Sequence, residues 1–247
     1  MKHFINVLIK RIKLYLLNFF DFLSFRLITT KFIFDKPKFD YQPIPWLGIN
    51  EAKIRGKGTL ERWLEIQKHI SSENNSLKDI GSCVGFFCIS ASEKFNLHSI
   101  GLEMDEVHLR LARRAVPHNL KNRCSFLNIE LDPSNISMLP NTNVTLLLSV
   151  WHHWVFHYGI DEATMMLNKT WSSTDRILFF ESGEEDTLDE FNLPFPSNIT
   201  ASDWLFEYLS NNLEDSVVSK IGKFESGKYE HYENKEFNRT LYKVTKI

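Results

Sequence analysis

The residues best suited to hold a small ligand fall in one stretch, residues 77–87. An apolar run that indicates a strand ends at Asp79, Gly81 and Gly85 follow it, and a helical pattern begins near Phe86. Glycine at such a turn lets a ligand approach the backbone and the first turn of the helix, because no side chain stands in the way. The stretch therefore predicts a strand, a ligand-binding turn and a helix.

A second carboxylate follows about twenty residues later, where residues 99–105 indicate another strand with Glu103 near its end. An acid at the end of such a strand is placed to accept hydrogen bonds from ribose hydroxyls. The dinucleotide pattern G-x-G-x-x-G is absent, and D-x-G-x-x-x-G beginning at Asp79 stands in its place. An acid before the turn suits an ammonium group and would repel a pyrophosphate.

The pattern from Asp79 through Gly81 to Gly85 resembles motif I of the class I S-adenosylmethionine-dependent methyltransferases. It departs from that motif at Cys83, where many members carry a glycine. The cofactor of that family has a sulfonium and an amino acid tail but no phosphate. The resemblance implies S-adenosylmethionine as the cofactor and methyl transfer as the activity. It implies cofactor contacts from Asp79, Gly81, Gly85, Glu103, Met104, Ile129, Glu130 and Ser149.

Two of these residues follow the third predicted strand. In the resembled family an acid at the position of Glu130 often binds the adenine amino group, and the residue before it, here Ile129, stacks on the ring. A solvated loop carboxylate is the alternative interpretation of Glu130.

A cluster of histidines and aromatic residues follows the fourth predicted strand. Residues 143–150 are apolar enough to form a central parallel strand buried on both faces, and residues 151–158 come directly after it. Ligands of doubly wound sheets bind outside the carboxyl ends of the strands, so an acceptor would meet the sulfonium here. Because imidazole is a suitable base near neutral pH, His152 or His153 is predicted to deprotonate a hydroxyl acceptor. A packing role for either histidine stays open.

Several other residues are candidates for contacting the acceptor. Arg62 lies in a predicted helix capped by Thr59, and it offers a cation to an anionic group. His153 and His157 have the spacing of a metal-chelating pair on a helix, but the sequence offers no third ligand, so no metal is predicted. The predicted acceptor contacts are Arg62, Trp151, Trp154, His157 and Glu181, with a solvated face and an apolar core as the alternatives.

Some acceptors are excluded by the residues after the fourth strand. Amino methylation of DNA bases goes with Asn or Asp followed by Pro-Pro-aromatic, and that tetrad is absent. Methylation of pyrimidine C5 needs a cysteine nucleophile, and no cysteine lies near Ser149. Because these two kinds of acceptor are excluded, a hydroxyl or carboxyl of a small-molecule, saccharide or lipid-linked acceptor is favoured. A non-catalytic S-adenosylmethionine-binding module and an RNA methyltransferase are the alternatives.

The rest of the sequence alternates strand and helix patterns, which favours a parallel sheet with helices on both faces. Together with the resemblance, it predicts an α/β fold with a doubly wound, seven-stranded, mostly parallel sheet whose last strand is antiparallel. Further predicted strands are residues 123–129, 176–181, 216–223 and 239–244, and further predicted helices are residues 105–116, 161–172 and 203–211.

Composition places the chain among ordinary globular enzymes. It has 247 residues, of which 43% are hydrophobic and 24% charged, enough for one substantial core. The net charge of −2 does not favour a nucleic-acid partner. Three cysteines without a C-x-x-C pair favour a reducing compartment, and so the cytoplasm, and argue against a zinc site.

The N-terminal segment differs in charge from the rest. Residues 1–38 carry eight Lys or Arg against two acids, interleaved with Phe, Leu and Ile. No apolar run reaches the ~18 residues of a membrane-spanning helix, and residues 14–25 lack a signal-peptide cleavage site after them. We predict an amphipathic helix and a Pro-containing linker in residues 1–45, preceding a methyltransferase domain of residues 46–247. Residues 1–35 lie on a membrane surface, which would make the protein peripheral, or pack on the domain or in a homodimer, with contact to RNA as a third alternative.

Overall fold

The computed structural model describes residues 42–50, 58–185, 187, 191, 193–226 and 238–247. The predicted N-terminal helix, and with it the prediction of a membrane surface or a second subunit, lies outside these residues. The end of the predicted linker is described: Ile44 is buried, and Gln42 Oε1 accepts the backbone N–H of Phe86 at 3.3 Å. Residues 42–47 thus pack against the domain that follows them.

Seven strands form one sheet in the order β3-β2-β1-β4-β5-β7-β6. Strands β1 to β5 are parallel, and β7 runs antiparallel to both β5 and β6. Helices cover both faces, so the predicted doubly wound α/β fold is confirmed. The strands are β1 Ser76–Ile80, β2 His98–Glu103, β3 Cys124–Asn128, β4 Thr142–Leu148, β5 Thr174–Glu181, β6 Ser216–Glu225 and β7 Asn238–Lys246.

Five α-helices are described, and two of them begin at side-chain caps. The Asp105 carboxylate accepts the N–H groups of Val107 and His108 at the start of α3, and Thr200 accepts that of Asp203 at the start of α5. Such caps satisfy N–H groups that have no partner within the helix. The helices are α1 Thr59–Ile66, α2 Phe86–Phe95, α3 Glu106–Ala115, α4 Trp151–Ser172 and α5 Ala201–Asn212.

The predicted cap of α1 is wrong. Thr59 is the first helical residue, and the cap position belongs to Gly58, whose φ of 89° lies in the left-handed region. A Cβ at Gly58 would lie 2.6 Å from the carbonyl oxygen of Glu225 in β6. Glycine therefore lets the start of α1 approach the edge of the sheet more closely than a side chain at this position would allow.

Helix α4 starts ten residues earlier than the predicted helix at residues 161–172, at Trp151. Gly159, with φ 81° and ψ 168°, interrupts its helical backbone. Because of this break, the spacing of apolar residues in the sequence does not predict the first two turns. Trp151, Trp154 and Val155 nevertheless share one buried face. The histidine cluster consequently lies on a helix that starts directly after β4.

A lysine side chain is buried within the sheet layer. Lys78 of β1 is 0% exposed, and its Nζ donates to Pro140 O at 3.0 Å, Ser173 O at 2.5 Å and Ser173 Oγ at 2.7 Å. These contacts join β1 to the segments that lead into β4 and β5. Burial lowers the pKa of Lys78 to about 7, and nearby Asp175 only partly opposes this.

Lys78→Met should change how stability depends on pH. Between pH 7 and 10.5 the unfolded chain binds a proton at Lys78 that the folded chain does not, so the stability of the unmodified protein rises with pH there. Relative to Lys78→Met, which cannot titrate, its free energy of unfolding should rise by up to ~1.4 kcal/mol per pH unit. Urea unfolding of both proteins at several pH values measures this, and parallel stability curves would show that Lys78 keeps an ordinary pKa.

Candidate active site

The turn after β1 adopts left-handed backbone conformations at alternate residues. Gly81 has φ 74°, Cys83 φ 50° and Gly85 φ 81°. The N–H groups of Gly81 and Ser82 donate to Leu102 O of β2, at 2.9 and 3.0 Å, and Gly85 N donates to Ser82 O at 2.8 Å. The turn is thereby fixed against the neighbouring strand and leads directly into α2.

Close packing explains why two of these positions are glycine. A Cβ at Gly81 would lie 2.5 Å from Val150 Cγ2, and one at Gly85 would lie 2.4 Å from Phe126 Cζ. Cys83 occupies the middle position, where many methyltransferases carry glycine, and it takes the left-handed conformation at a typical cost of about 1 kcal/mol. The departure from the motif therefore leaves the course of the backbone intact.

Two buried carboxylates lie beside this turn. Glu103 Oε2 accepts the N–H of Cys83 at 2.7 Å, and its Oε1 accepts that of Asp105 at 2.8 Å. Asp79 is 2% exposed, and its Oδ2 has no hydrogen-bond partner among the described residues; the same holds for the hydroxyl of Ser82. Burial, and then the charge of Glu103, raises the pKa of Asp79. Polar atoms at the turn are thus left for a ligand, and a cationic one would favour the ionised form of Asp79.

The predicted adenine contacts lie after β2 and β3, at the same edge of the sheet. Met104 is 64% exposed, Ile129 is half-buried and Glu130 is exposed. Asn128 Nδ2 donates to the carbonyl oxygens of Glu103 and Met104, at 3.1 and 3.0 Å, which fixes the two strand ends against each other. The exposed thioether of Met104 and the exposed carboxylate of Glu130 suit an aromatic base that carries an amino group.

A buried chain of polar contacts crosses the ends of β4, β5 and β7. Arg62 Nε of α1 contacts Glu181 Oε2 at 2.5 Å, and Ser149 Oγ donates to Glu181 Oε1 at 2.9 Å. Arg239 Nη1 donates to Ser149 Oγ at 2.9 Å. Ser149 itself has φ 59°, a conformation that costs energy for a residue other than glycine and that is concentrated at functional sites. Three predicted site residues, Arg62, Ser149 and Glu181, are therefore brought into one network.

The two candidate histidines have different surroundings. His152 is 2% exposed, and its Nδ1 lies 3.0 Å from the backbone N of Gly183, which donates to it. Burial, with the charges of Arg239 and His153, lowers the pKa of His152 well below its ordinary value. The ring of His152 is thus held neutral with its proton on Nε2, because Nδ1 is an acceptor.

His153 is exposed, and its ring centroid lies 4.5 Å from that of His152. No hydrogen bond to its ring occurs among the described residues. Partial desolvation, His157 and Arg239 lower the pKa of His153, so the neutral imidazole predominates at neutral pH. Its ring can therefore accept a proton from a ligand at the sheet edge.

Aromatic rings border the histidines on one side. The ring of Phe191 lies 4.8 Å from those of both His152 and His153 and 5.6 Å from that of Phe156. Phe156 and His157 are exposed. Trp151 and Trp154, predicted to contact the acceptor, are instead 0% and 4% exposed in the main hydrophobic core, because they lie on the inner face of α4.

Sequence reasoning missed Arg239, Ser82 and Phe191 as members of this region. Arg239 lies at the start of β7, and because β7 is antiparallel its start lies at the carboxyl ends of β4 and β5. The available signal was a cation at the start of the final strand, and it points to the site only once the direction of that strand is known. Ser82 and Phe191 carried no pattern that distinguished them from other polar or core residues.

The described residues contain no group of three or more His, Cys, Asp or Glu side chains arranged to hold a metal ion. Among the helices that the structure describes, none combines the length and apolar character needed to cross a bilayer.

Comparison with solved structures shows that this chain has a known fold. The bifunctional kinase-methyltransferase WbdD superposes with a TM-score of 0.65 at 19% identity, over 87% of this chain and 45% of the WbdD chain. Magnesium protoporphyrin IX methyltransferase (ChlM) from Synechocystis PCC 6803, solved with bound S-adenosylhomocysteine, superposes with a TM-score of 0.52 at 15% identity, over 76% of this chain and 80% of that one. The chain thus spans less than half the length of WbdD. No family model and no curated protein matches it in sequence.

The chain has the fold of the class I S-adenosylmethionine-dependent methyltransferases, as the resemblance of its first motif implied.

Proposed function

We propose that this protein binds S-adenosylmethionine and transfers its methyl group to a hydroxyl or carboxyl of a small-molecule, saccharide or lipid-linked acceptor. The observation that carries the proposal is the turn Gly81–Gly85 with buried Asp79 and Glu103 beside it, at the ligand-binding edge of this fold. The crystal structures of ChlM with S-adenosylmethionine and S-adenosylhomocysteine support the choice of cofactor.

The residues present fit that cofactor. Asp79, with its Oδ2 lacking a partner among the described residues, suits the ammonium of the amino acid tail. Glu103 suits the ribose hydroxyls, and Met104, Ile129 and Glu130 suit adenine. When bound, S-adenosylmethionine supplies a methyl group made electrophilic by the sulfonium. The protein's part is to align an acceptor oxygen with that methyl group and to exclude water.

We assign the role of general base to His153 rather than His152. His153 is exposed at the edge of the site with a ring free to accept a proton, whereas His152 is buried and its Nδ1 is occupied by the N–H of Gly183. His152 instead fixes the start of α4 to the segment after β5, and so positions its neighbour. A carboxyl acceptor is already ionised at neutral pH and would not need this base.

His153→Asn is expected to lower turnover of a hydroxyl acceptor by about 10²–10⁴-fold, the usual contribution of general-base catalysis. In the unmodified enzyme the rate should fall as pH drops through the pKa of His153, which is lowered from its ordinary 6.5. The variant should lack this acid limb and keep its affinity for S-adenosylhomocysteine. His118→Asn, an exposed histidine after α3, serves as the matched control. An unchanged pH profile in His153→Asn would remove His153 from this role.

The function is tested by measuring formation of S-adenosylhomocysteine with a panel of hydroxylated, carboxylated and phosphorylated small molecules, saccharides and lipid-linked saccharides. Turnover with a member of the panel would support the proposal. Turnover with transfer RNA alone would favour the RNA methyltransferase. Cofactor binding without turnover on any of them would favour a non-catalytic binding module.

A further inference from the structure

The start of α4 lies directly against the turn proposed to hold the cofactor. A Cβ at Gly81 would meet Val150 Cγ2 at 2.5 Å, and Trp151, the first residue of α4, follows Val150 in the chain. The helix begins without a side-chain cap, so the positive end of its dipole lies at the carboxyl ends of β1 and β4. His152, the second residue of the helix, is thereby placed beside the proposed methyl donor.

His152 is held in one tautomer by the segment after β5. Its Nδ1 accepts the backbone N–H of Gly183 at 3.0 Å, and the hydroxyl oxygen of Ser182 lies 3.5 Å from the same nitrogen. A neutral imidazole that accepts a hydrogen bond at Nδ1 carries its proton on Nε2. The side chain of His152 therefore has one N–H to donate, and its direction is fixed by the contact with Gly183.

The Nε2–H group of His152 has no hydrogen-bond partner among the residues that the structure describes. The side chain is 2% exposed, but its Nε2, unlike Trp151 Nε1, is not completely enclosed by protein atoms. A donor that is largely removed from water and has no partner costs free energy, and a ligand that accepts from it recovers that cost. The buried ring thus has a polar atom that only a ligand or a water molecule can satisfy.

The ring of His153 lies next to this donor. The centroids of the two imidazoles are 4.5 Å apart, and their planes differ by 34°. The ring of Phe191 lies edge-on to both, at 4.8 Å from each centroid, and closes one side of the pair. One ligand oxygen can bridge two nitrogens that are up to about 6 Å apart, so rings this close can share a single hydroxyl.

We propose that the Nε2–H of His152 donates to the acceptor oxygen whose proton His153 takes, and that this pair selects a hydroxyl as the methyl acceptor. The inference rests on the proposed methyltransferase function, because it names the acceptor group for the same site. While the proton passes from the hydroxyl to His153, negative charge grows on the oxygen, and a donor already held beside it stabilises that charge.

The number of lone pairs on the acceptor atom explains this selection. A hydroxyl has one O–H, which donates to His153, and two lone pairs, of which one accepts from His152 and the other remains to attack the methyl group. A neutral amine has a single lone pair, and the attack needs it. A carboxylate can accept from His152, but it has no proton for His153 to take.

The first test observes the donor directly by nuclear magnetic resonance, in full-length protein whose histidine nitrogens are isotope-labelled. The signals of His152 are those missing from His152→Asn. We expect Nε2 of His152 to be protonated and Nδ1 unprotonated near neutral pH, and we expect benzyl alcohol to shift the Nε2–H signal further than toluene does. A proton on Nδ1, or an Nε2–H signal that benzyl alcohol moves no further than toluene, would overturn the proposal.

Two variants separate a donor in the site from a purely structural histidine. Asparagine can still accept from Gly183 with its Oδ1, near the place of Nδ1, but it has no donor where Nε2 lies. In His152→Asn the ratio of the affinities for benzyl alcohol and toluene should therefore fall about three- to tenfold, the usual value of one hydrogen bond. Glutamine reaches the place of Nε2, so His152→Gln should keep most of this ratio, although it loses the acceptor for Gly183.

The two probes make the result specific, because a disturbed structure weakens the binding of both, whereas a lost donor changes only their ratio. His98→Asn, an exposed histidine at the start of β2 and so at the opposite edge of the sheet, is the matched control and should keep the ratio. An unchanged ratio in His152→Asn would overturn the role of His152, and tighter binding of benzoate than of benzyl alcohol would overturn the selection of a hydroxyl.

All titrations are made with and without saturating S-adenosylhomocysteine. Failure of S-adenosylhomocysteine to bind would refute the proposed function. The titrations without it would still decide whether His152 donates to a ligand. If neither variant folds, the resonance measurement on the unmodified protein decides the proposal by itself, with the His152 signals assigned through their contact with Gly183.

Discussion

Glu103→Ala is expected to weaken binding of S-adenosylhomocysteine by about 100-fold, the value of one or two charge-assisted hydrogen bonds. The Glu103 carboxylate accepts the N–H groups of Cys83 and Asp105, so its removal leaves two backbone donors without partners and releases the turn after β1. It also removes the group best placed to accept the ribose hydroxyls. Calorimetric titration of both proteins measures the difference in affinity.

The matched control is Glu106→Ala. Glu106 lies three residues later at the exposed start of α3, where it pairs with Arg110. Its loss should leave the affinity for S-adenosylhomocysteine within about twofold, because a surface ion pair contributes little. If Glu103→Ala binds as tightly as Glu106→Ala, the cofactor does not lie beside Glu103 and the assignment of this edge is wrong.

Arg62→Met is expected to lower the free energy of unfolding by about 3 kcal/mol, because removing one partner of a buried ion pair leaves an uncompensated charge. Glu181 would keep its contact with Ser149 but lose the guanidinium that lies 2.5 Å from its Oε2. Methionine has a similar length, so the packing of α1 against the sheet is disturbed little. Urea unfolding with a two-state fit measures the change.

Two further variants show whether the loss of stability comes from the unpaired charge of Glu181. Arg176→Met removes an exposed ion pair with Glu73, and it should change the free energy of unfolding by no more than ~0.5 kcal/mol. The double variant Arg62→Met, Glu181→Met should be more stable than Arg62→Met alone, because an apolar pair replaces an unpaired buried charge. A double variant less stable than the single one would show that the hydrogen bond from Ser149 stabilises the Glu181 carboxylate enough without Arg62.

The features that the sequence predicted correctly are the local ones. The strand, turn and helix around Asp79, Gly81 and Gly85 depend on residues that are neighbours in the chain, and the glycines report directly on the left-handed backbone found there. The alternation of strands and helices similarly followed from periodicity, and together with the resemblance of the first motif it predicted the sheet and the antiparallel last strand.

The features that the sequence could not give depend on distant residues. Arg62 and Glu181 are 119 positions apart, and Ser149 and Arg239 are 90 apart. Both contacts form only because α1 and the start of the antiparallel β7 lie at the same edge of the sheet. The choice between His152 and His153 likewise depended on whether each ring faces the core or solvent, which adjacent residues of one type cannot reveal.

The first turns of α4 illustrate a different limit. The residues from Trp151 onward are helical, but the break at Gly159 prevents a continuous helical pattern that would predict them from the sequence. The sequence therefore predicts that the aromatic residues there contact the acceptor, whereas Trp151 and Trp154 face the core.

The measurement that tests the central claim most directly is calorimetric titration of the full-length protein with S-adenosylmethionine and S-adenosylhomocysteine, alongside Gly85→Asp. A Cβ at Gly85 would already meet the ring of Phe126 at 2.4 Å, and the added carboxylate brings further bulk and charge to the turn. We expect both ligands to bind the unmodified protein with one molecule per chain and neither to bind Gly85→Asp. A folded, unmodified protein that binds neither ligand would contradict the assignment, and the turn after β1 would then serve the fold alone.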